Sequence, residues 1–334
     1  MKKILLIGGT GFIGSHLKRA LTHQSYEITI MCRQVPPCQE EPDVTYLLFN
    51  PDEEKDLDTI LSECSHVIHL ASATTPSTSM LKPEMEIINN LLPVSRLLER
   101  LQKYPEIHLI FISSGGAIYG NTYLDFVKED TVLHPLSYYG AGKAAIEAFL
   151  YAFHEQAGNR VTVVRPSNLY GEGQPLKSQF GLIPTLFNHL INDSEMQIWG
   201  DGETIRDYLY IGDFVDLCIR IIQSATDGNS YETINAGSGY GLSINQLCDL
   251  AESITEQTIQ RQYVASRTVD VKRIVLDSSK AENRFGWKAS TPVKTGLEKT
   301  WEGFLHNTKR HLSDRADAFW CSVPVKSGDT TTSD

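Results

Sequence analysis

The feature that most constrains this chain is a glycine cluster near its start, Gly8-Gly9-Thr10-Gly11-Phe12-Ile13-Gly14. It follows a short apolar run, 3–7, and opens a segment, 12–22, with helical spacing of its apolar residues. Glycines at this spacing let a chain turn sharply from strand to helix and let another backbone approach closely. The free N–H groups at such a helix start suit an anionic phosphate. Glycines alone often do no more than make a turn. Strand, turn and helix in this order are the context that a dinucleotide-binding turn demands.

The same alternation continues through the first half. Strands are expected over 3–7, 28–31, 67–70, 109–113 and 161–165, with helices over 12–22, 57–63, 84–103 and 137–157. Pro93 should kink or break the third helix. The pattern predicts an α/β fold with a Rossmann-type, doubly wound parallel sheet. Beyond residue 170 the chain turns Gly- and Pro-rich, with a short helix at 184–191, a strand at 196–199 and a later strand, 231–236, that rejoins the sheet. Residues 1–170, with a return segment at about 207–237, are thus the dinucleotide-binding domain. Residues 171–206 and 238–315, the latter read as largely helical, make a smaller C-terminal α/β substrate-binding domain. The segment 316–334, rich in Ser, Thr, Lys and Asp, is expected to be a mobile tail.

A net charge of −11 argues against a nucleic-acid or acidic-membrane partner, so an anionic ligand must be held by a few placed arginines. The six cysteines form no C-x-x-C pair and no zinc-type cluster, which points to reduced thiols and no metal. The apolar run after Lys2-Lys3 breaks at Gly8-Gly9, too soon for a signal core, and no window approaches the roughly 20 apolar residues of a membrane span. A cytoplasmic protein is expected.

The end of the second strand reads Met31-Cys32-Arg33-Gln34. An acid there would select NAD through a ribose hydroxyl; Arg33 instead favours the 2′-phosphate of NADP. Downstream, Tyr139 and Lys143 stand four apart at the start of a helical segment and so share one face. A free phenol titrates near 10, too high for a base at neutral pH, and an adjacent ammonium draws it down. The pair suits proton transfer to and from a sugar hydroxyl during hydride chemistry.

Taken together, the motifs resemble the extended short-chain dehydrogenases of the nucleotide-sugar epimerase, dehydratase and reductase group, over roughly residues 1–305. The resemblance rests on Gly8-x-x-Gly11-x-x-Gly14, His69-Leu70-Ala71, Ser113 to Gly120, Tyr139-x-x-x-Lys143, Arg165-Pro166-Ser167-Asn168 and Gly202-x-x-x-Arg206-Asp207-Tyr208. It implies NAD(P) held by Gly8, Thr10, Gly11, Phe12, Ile13, Gly14, Arg33, Leu70, Ala71, Ser72, Tyr139 and Lys143. It also implies Tyr139 as acid/base, Lys143 on the nicotinamide ribose and Asn90 as a support from the helix below. Thr75, Asn168, Arg206 and Arg267 would hold a nucleotide-diphosphate sugar, the two arginines gripping the diphosphate. A homodimer through the long helices, including that of Tyr139, is the family expectation.

The chain also departs from the group. Many relatives carry Ser or Thr at the position of Gly115, where the hydroxyl holds the reacting oxygen; here Ser114 is expected to substitute. The Asp-Glu pair of the dehydratases is replaced by Gly116-Ala117, which disfavours water elimination. A C4 epimerase working through a 4-keto sugar leads, and would keep NAD bound. An NADPH-dependent 4-ketoreductase of a 4-keto-6-deoxy sugar is the alternative, and a non-catalytic dinucleotide sensor the distant one. The segment Thr74 to Ser79 resembles that of enzymes making bacterial cell-surface sugars.

Overall fold

Ile4 and Leu6 face one side of the first strand and Leu5 the other, and all three are fully buried. A strand covered on both faces belongs inside a parallel sheet. The structure, a computed structural model, describes residues 2–36, 41–48, 54–80, 82–176, 181–224, 230–266 and 271–320. In chain order it begins with β1 (Lys3–Ile7), α1 (Phe12–Thr22), β2 (Glu27–Cys32), β3 (Val44–Leu48), α2 (Glu54–Glu63) and β4 (Cys64–His69). The short α3 (Pro76–Ser79) and α4 (Glu84–Glu86), a π-helical turn (Ile87–Leu91) and α5 (Leu92–Leu101) lead to β5 (His108–Ile112). Then come α6 (Gly115–Ile118), α7 (Tyr138–Ala157), β6 (Val161–Pro166), β7 (Asn168–Tyr170), α8 (Leu182–Ile191) and β8 (Met196–Trp199). They are followed by β9 (Ile205–Tyr210), α9 (Ile211–Gln223), β10 (Tyr231–Ala236), β11 (Gly241–Ser243) and α10 (Ile244–Thr255). The chain finishes with β12 (Arg261–Val264), β13 (Arg273–Ile274), α11 (Ser279–Phe285) and α12 (Val293–Trp320).

Among the described residues, seven parallel strands form one sheet in the order β10-β6-β5-β4-β1-β2-β3. The order reverses between β1 and β4, where ligands of open parallel sheets bind beyond the strand ends. Leu17 and Leu21 of α1, Phe214 and Leu217 of α9 and Ala281 of α11 cover one face. Leu61 of α2, Leu98 of α5, and Ile146 and Leu150 of α7 cover the other. The fold is the expected doubly wound α/β one. No helix among the described residues is long and apolar enough to cross a membrane.

The second lobe departs from the expectation in three ways. Residues 242–315 are not only helical: β11 and β13 flank β9 in a small mixed sheet, and β12 pairs with β8. Next, β9 joins β7 in that small sheet, so the return to the main sheet begins with α9 rather than at residue 207. Finally, α12 continues to Trp320, into the segment expected to be a tail; residues 321–334 lie outside those described. In the first half, Pro93 is accommodated by the π turn. The Leu92 N–H reaches back to the Ile87 carbonyl, and Pro93, which has no N–H, enters at the first turn of α5.

One buried ion pair ties α7 to the sheet. Arg165 of β6 donates through Nε and Nη2 to both carboxylate oxygens of Glu147, the Nη2 bond being 2.6 Å. Ser113 donates to the same carboxylate, and Arg165 Nη1 also reaches the Tyr119 hydroxyl and the Glu129 carbonyl. Removing one member strands the other charge in the interior. Arg165→Met should therefore lower unfolding stability by about 3–5 kcal/mol, measured by urea denaturation. A loss below about 1 kcal/mol would show that the pair is not structural.

Candidate active site

The glycine turn lies where β1 meets α1. Gly8 has φ +88°, a conformation that side chains rarely adopt, and a β-carbon there would come within 2.9 Å of the Ala71 backbone. At Gly14 a β-carbon would fall 2.5 Å from Gly9 Cα, so only glycine lets α1 start this close to the turn. Gly11, at the helix N-cap, has no side-chain cap, and the first turn carries no acid. Thr10 and Gly11 are exposed, with Phe12 and Ile13 half-buried behind them. A dinucleotide pyrophosphate fits this cradle: uncapped N–H groups, no opposing carboxylate and no β-carbon in the way.

The loop after β4 forms the facing wall. The Leu70 N–H bonds the Ile7 carbonyl at 2.9 Å, and Ala71 abuts Gly8. Ser72 donates to the Thr74 carbonyl, and Ala73 N–H donates to Asn90 Oδ1 at 2.9 Å. Asn90 Nδ2 donates to Thr74 Oγ1 and Glu86 Oε2, each at 2.8 Å. Asn90 thus holds the loop from inside the π turn. Arg33 is exposed just past the end of β2.

Tyr139 and Lys143 lie on the first turns of α7, which Ser137 caps through the Gly140 N–H. The Ser114 hydroxyl acts on the Tyr139 phenol and favours its ionised form; it is the hydroxyl expected to stand in for the one missing at Gly115. The structure also shows why 115 is glycine: a β-carbon there would lie 2.6 Å from Leu276 Cδ1. Lys143, 6% exposed, donates to the Ile112 carbonyl at 2.8 Å and lies 4.7 Å from the centre of the Phe111 ring.

The charge balance differs from the simple expectation. Burial raises the Tyr139 phenol to about 12, opposed by the Ser114 hydrogen bond and reinforced by the nearby Glu86 carboxylate. Burial lowers Lys143 to about 8, opposed by Glu147 and Glu86. The ammonium is aimed at Ile112 and Phe111, 5.9 Å from the Tyr139 ring centre, so in the chain alone it does not bring the phenol down.

Substrate candidates divide. Asn168 and Arg206 line one pocket with Leu182, Trp199 and Tyr208, brought together by the pairing of β7 with β9. That pocket borders the reactive turn, since a β-carbon at Gly116 would touch Asn168 Oδ1. Thr75 does not line it; its hydroxyl is engaged in capping α3 with Thr78. Arg267 lies outside the described residues. Sequence reasoning missed two groups. Glu86 was detectable, four residues before Asn90 on the same helical face; Leu276 was not, being distant in sequence from Gly115.

Ser114→Ala should reduce turnover by about 10²–10³-fold with the fold intact, because it removes the phenol's hydroxyl partner. Gly115→Ser should be destabilising in a melt and partly rescued by Leu276→Ala, which clears the clash. Undiminished turnover in Ser114→Ala would remove that residue from the site.

Comparison with known proteins places this geometry. The model of the "NAD dependent epimerase/dehydratase family" matches residues 4–237. A Methanocaldococcus jannaschii protein provisionally named a UDP-glucose 4-epimerase is 30% identical over 309 residues, 92% of this chain and 99% of that one. An Escherichia coli dTDP-4-dehydro-6-deoxyglucose reductase is 27% identical over 306 residues, 89% of this chain and 95% of its own. The Thermotoga maritima UDP-glucose 4-epimerase, solved with UDP-glucose, has a TM-score of 0.84 at 30% identity, covering 92% of this chain and 99% of that one. The chain belongs to the NAD dependent epimerase/dehydratase family and is an enzyme of the extended short-chain dehydrogenase kind.

Proposed function

We propose that this protein is an NAD-dependent nucleotide-sugar 4-epimerase, with a UDP-hexose as the first substrate to try. The observation that carries the reading is Tyr139 and Lys143 one helical turn apart on α7, with the Asn168/Arg206 pocket bordering the turn at Gly116. Both the Methanocaldococcus and the Thermotoga relatives carry the name of UDP-glucose 4-epimerase, which supports the substrate class. The glycine turn, the loop 70–73 and Lys143 would hold the cofactor. When bound, NAD would supply the hydride acceptor and donor. Ser114 holds the C4 oxygen while Tyr139 accepts the proton of that hydroxyl on the way to the 4-keto sugar. Tyr139 returns the proton after the ketone has turned, giving the epimer. Lys143 would bind the nicotinamide ribose, and Arg206 with Asn168 retains the diphosphate during the turn.

A second reading, an NADPH-dependent 4-ketoreductase, draws on Arg33 at the end of β2 and on the Escherichia coli relative. A cytoplasmic place fits the unpaired, buried thiols of Cys32, Cys64, Cys218 and Cys248. A role in surface-polysaccharide sugar supply draws on the Thr74 to Ser79 segment, which the site uses through Asn90 and through Ser79, the acceptor of the Tyr139 N–H. A homodimer is favoured by apolar side chains left exposed at the π turn and α5, Ile87, Ile88 and Leu92, and on α7, Phe149. Sedimentation equilibrium should give twice the chain mass, and Phe149→Glu should shift it to monomer; a monomeric wild type would refute the dimer.

The main test is the cofactor released by acid from protein purified without added nucleotide, followed by turnover of UDP-glucose. Near-stoichiometric NAD and interconversion with UDP-galactose are expected, with Tyr139→Phe slower by about 10²–10⁴-fold. An empty site preferring NADPH, with reduction of a 4-keto-6-deoxy sugar, would establish the reductase instead.

A further inference from the structure

Glu86 is a carboxylate that the chemistry above does not use. It ends α4, immediately before the π turn, and is 5% exposed. Its Oε2 accepts from Asn90 Nδ2 at 2.8 Å, and its Oε1 is buried with no hydrogen-bond partner among the described residues. The carboxylate lies against Gly142, where a β-carbon would come within 2.7 Å of Oε2. Gly142 is on α7 between Tyr139 and Lys143, so the acid meets that helix at the level of the reactive pair.

A buried carboxylate is costly unless a positive charge opposes it. Arg165 is already engaged by Glu147 from the same helix face. Lys143 is the ammonium that Glu86 and Glu147 both favour in its charged form, against the burial that draws it down. The other groups facing this cluster add no positive charge. His69 of β4 is kept neutral by burial, and Tyr139 of α7 and Ser114 before α6 are hydroxyls.

We propose that Glu86 is a positioning residue for the Tyr139–Lys143 pair: clamped by Asn90 against Gly142, it is the second counter-charge, beside Glu147, that keeps Lys143 an ammonium. This rests on the reading of Tyr139 and Lys143 given above, in which Lys143 serves the site as an ammonium. The chain brings the acid from a different element than the pair it serves, through the π turn that also places Asn90.

The test is a 13C NMR titration of the full chain labelled at lysine Cε, with Lys143 assigned by the signal lost in Lys143→Met. Removing a neighbouring negative charge disfavours the ammonium, so the direction is downward. Lys143 should titrate near pH 8 in the wild type. In Glu86→Gln its midpoint should fall by about half a pH unit or more, and in Glu86→Asp, which retains the charge, by less than about half of that. The alkaline limb of kcat/KM for UDP-glucose should move with it. Gly142→Ala, which displaces the carboxylate without removing it, should also lower the midpoint and serves if Glu86→Gln fails to fold. An unmoved midpoint in folded Glu86→Gln, or in Gly142→Ala where only that variant folds, overturns the proposal. A shifted midpoint in a protein that turns over no nucleotide sugar supports the electrostatic role and refutes the functional reading instead.

Discussion

Glu147 and Arg165 face each other between α7 and the sheet, and the placement of the reactive residues depends on that pairing. Tyr139, Lys143 and Glu147 follow one another at helical spacing on α7. When Arg165 grips Glu147, with Nε reaching both carboxylate oxygens and Nη2 reaching Oε2, it fixes the rotation of α7 about its own axis as well as its distance from β6. Lys143 is then delivered to the Ile112 carbonyl and Tyr139 to Ser114. The remaining bonds, from Ser113, Tyr119 and Asn235, leave little of this buried network unsatisfied. That is the condition under which burying charge is tolerable.

A second buried acid does the equivalent work between the lobes. Asp207 of β9 accepts from the hydroxyls of Ser167 and Ser238 and from the N–H groups of Ser238, Gly239 and Leu276. It therefore joins the ends of β6 and β10 to the small sheet and to the segment that packs Leu276 over Gly115. Burial pushes its carboxyl above the ordinary value, while these donors hold it down. The pocket of Asn168 and Arg206 inherits its position from this junction, since both residues belong to strands that the junction anchors. The turn at Gly115-Gly116 and the pocket of Asn168 and Arg206 are thus parts of one polar seam along the carboxyl edge of the sheet.

How far the sequence could be read differs element by element. The first strand and helix were legible to the residue because glycine punctuation and apolar period agree there. β3 was not: it is an edge strand with no buried residue, so burial never imprinted a clear pattern on it. β11, β12 and β13 run for two to four residues, too short for any period to show. Thr75, implied as a ligand contact by the resemblance alone, caps α3, a local role that its spacing from Thr78 allows. Ser114 could be named from the sequence as a neighbour of Gly115, but its influence on the Tyr139 phenol depends on the fold.

Sequence alone determined the class of chemistry. The glycine spacing, the Tyr139–Lys143 interval and the lack of acids at 116–117 are local facts, set by residue type and helical geometry. The tertiary structure decided everything that depends on residues distant in the chain. It set Leu276 against Gly115, Glu86 against Gly142 and Asn168 beside Arg206. It also decided the titration of Tyr139 and Lys143, because burial and remote carboxylates outweigh the short-range pairing that the sequence displays. Spacing along a helix specifies which groups can meet; only packing specifies how much water and charge surround them.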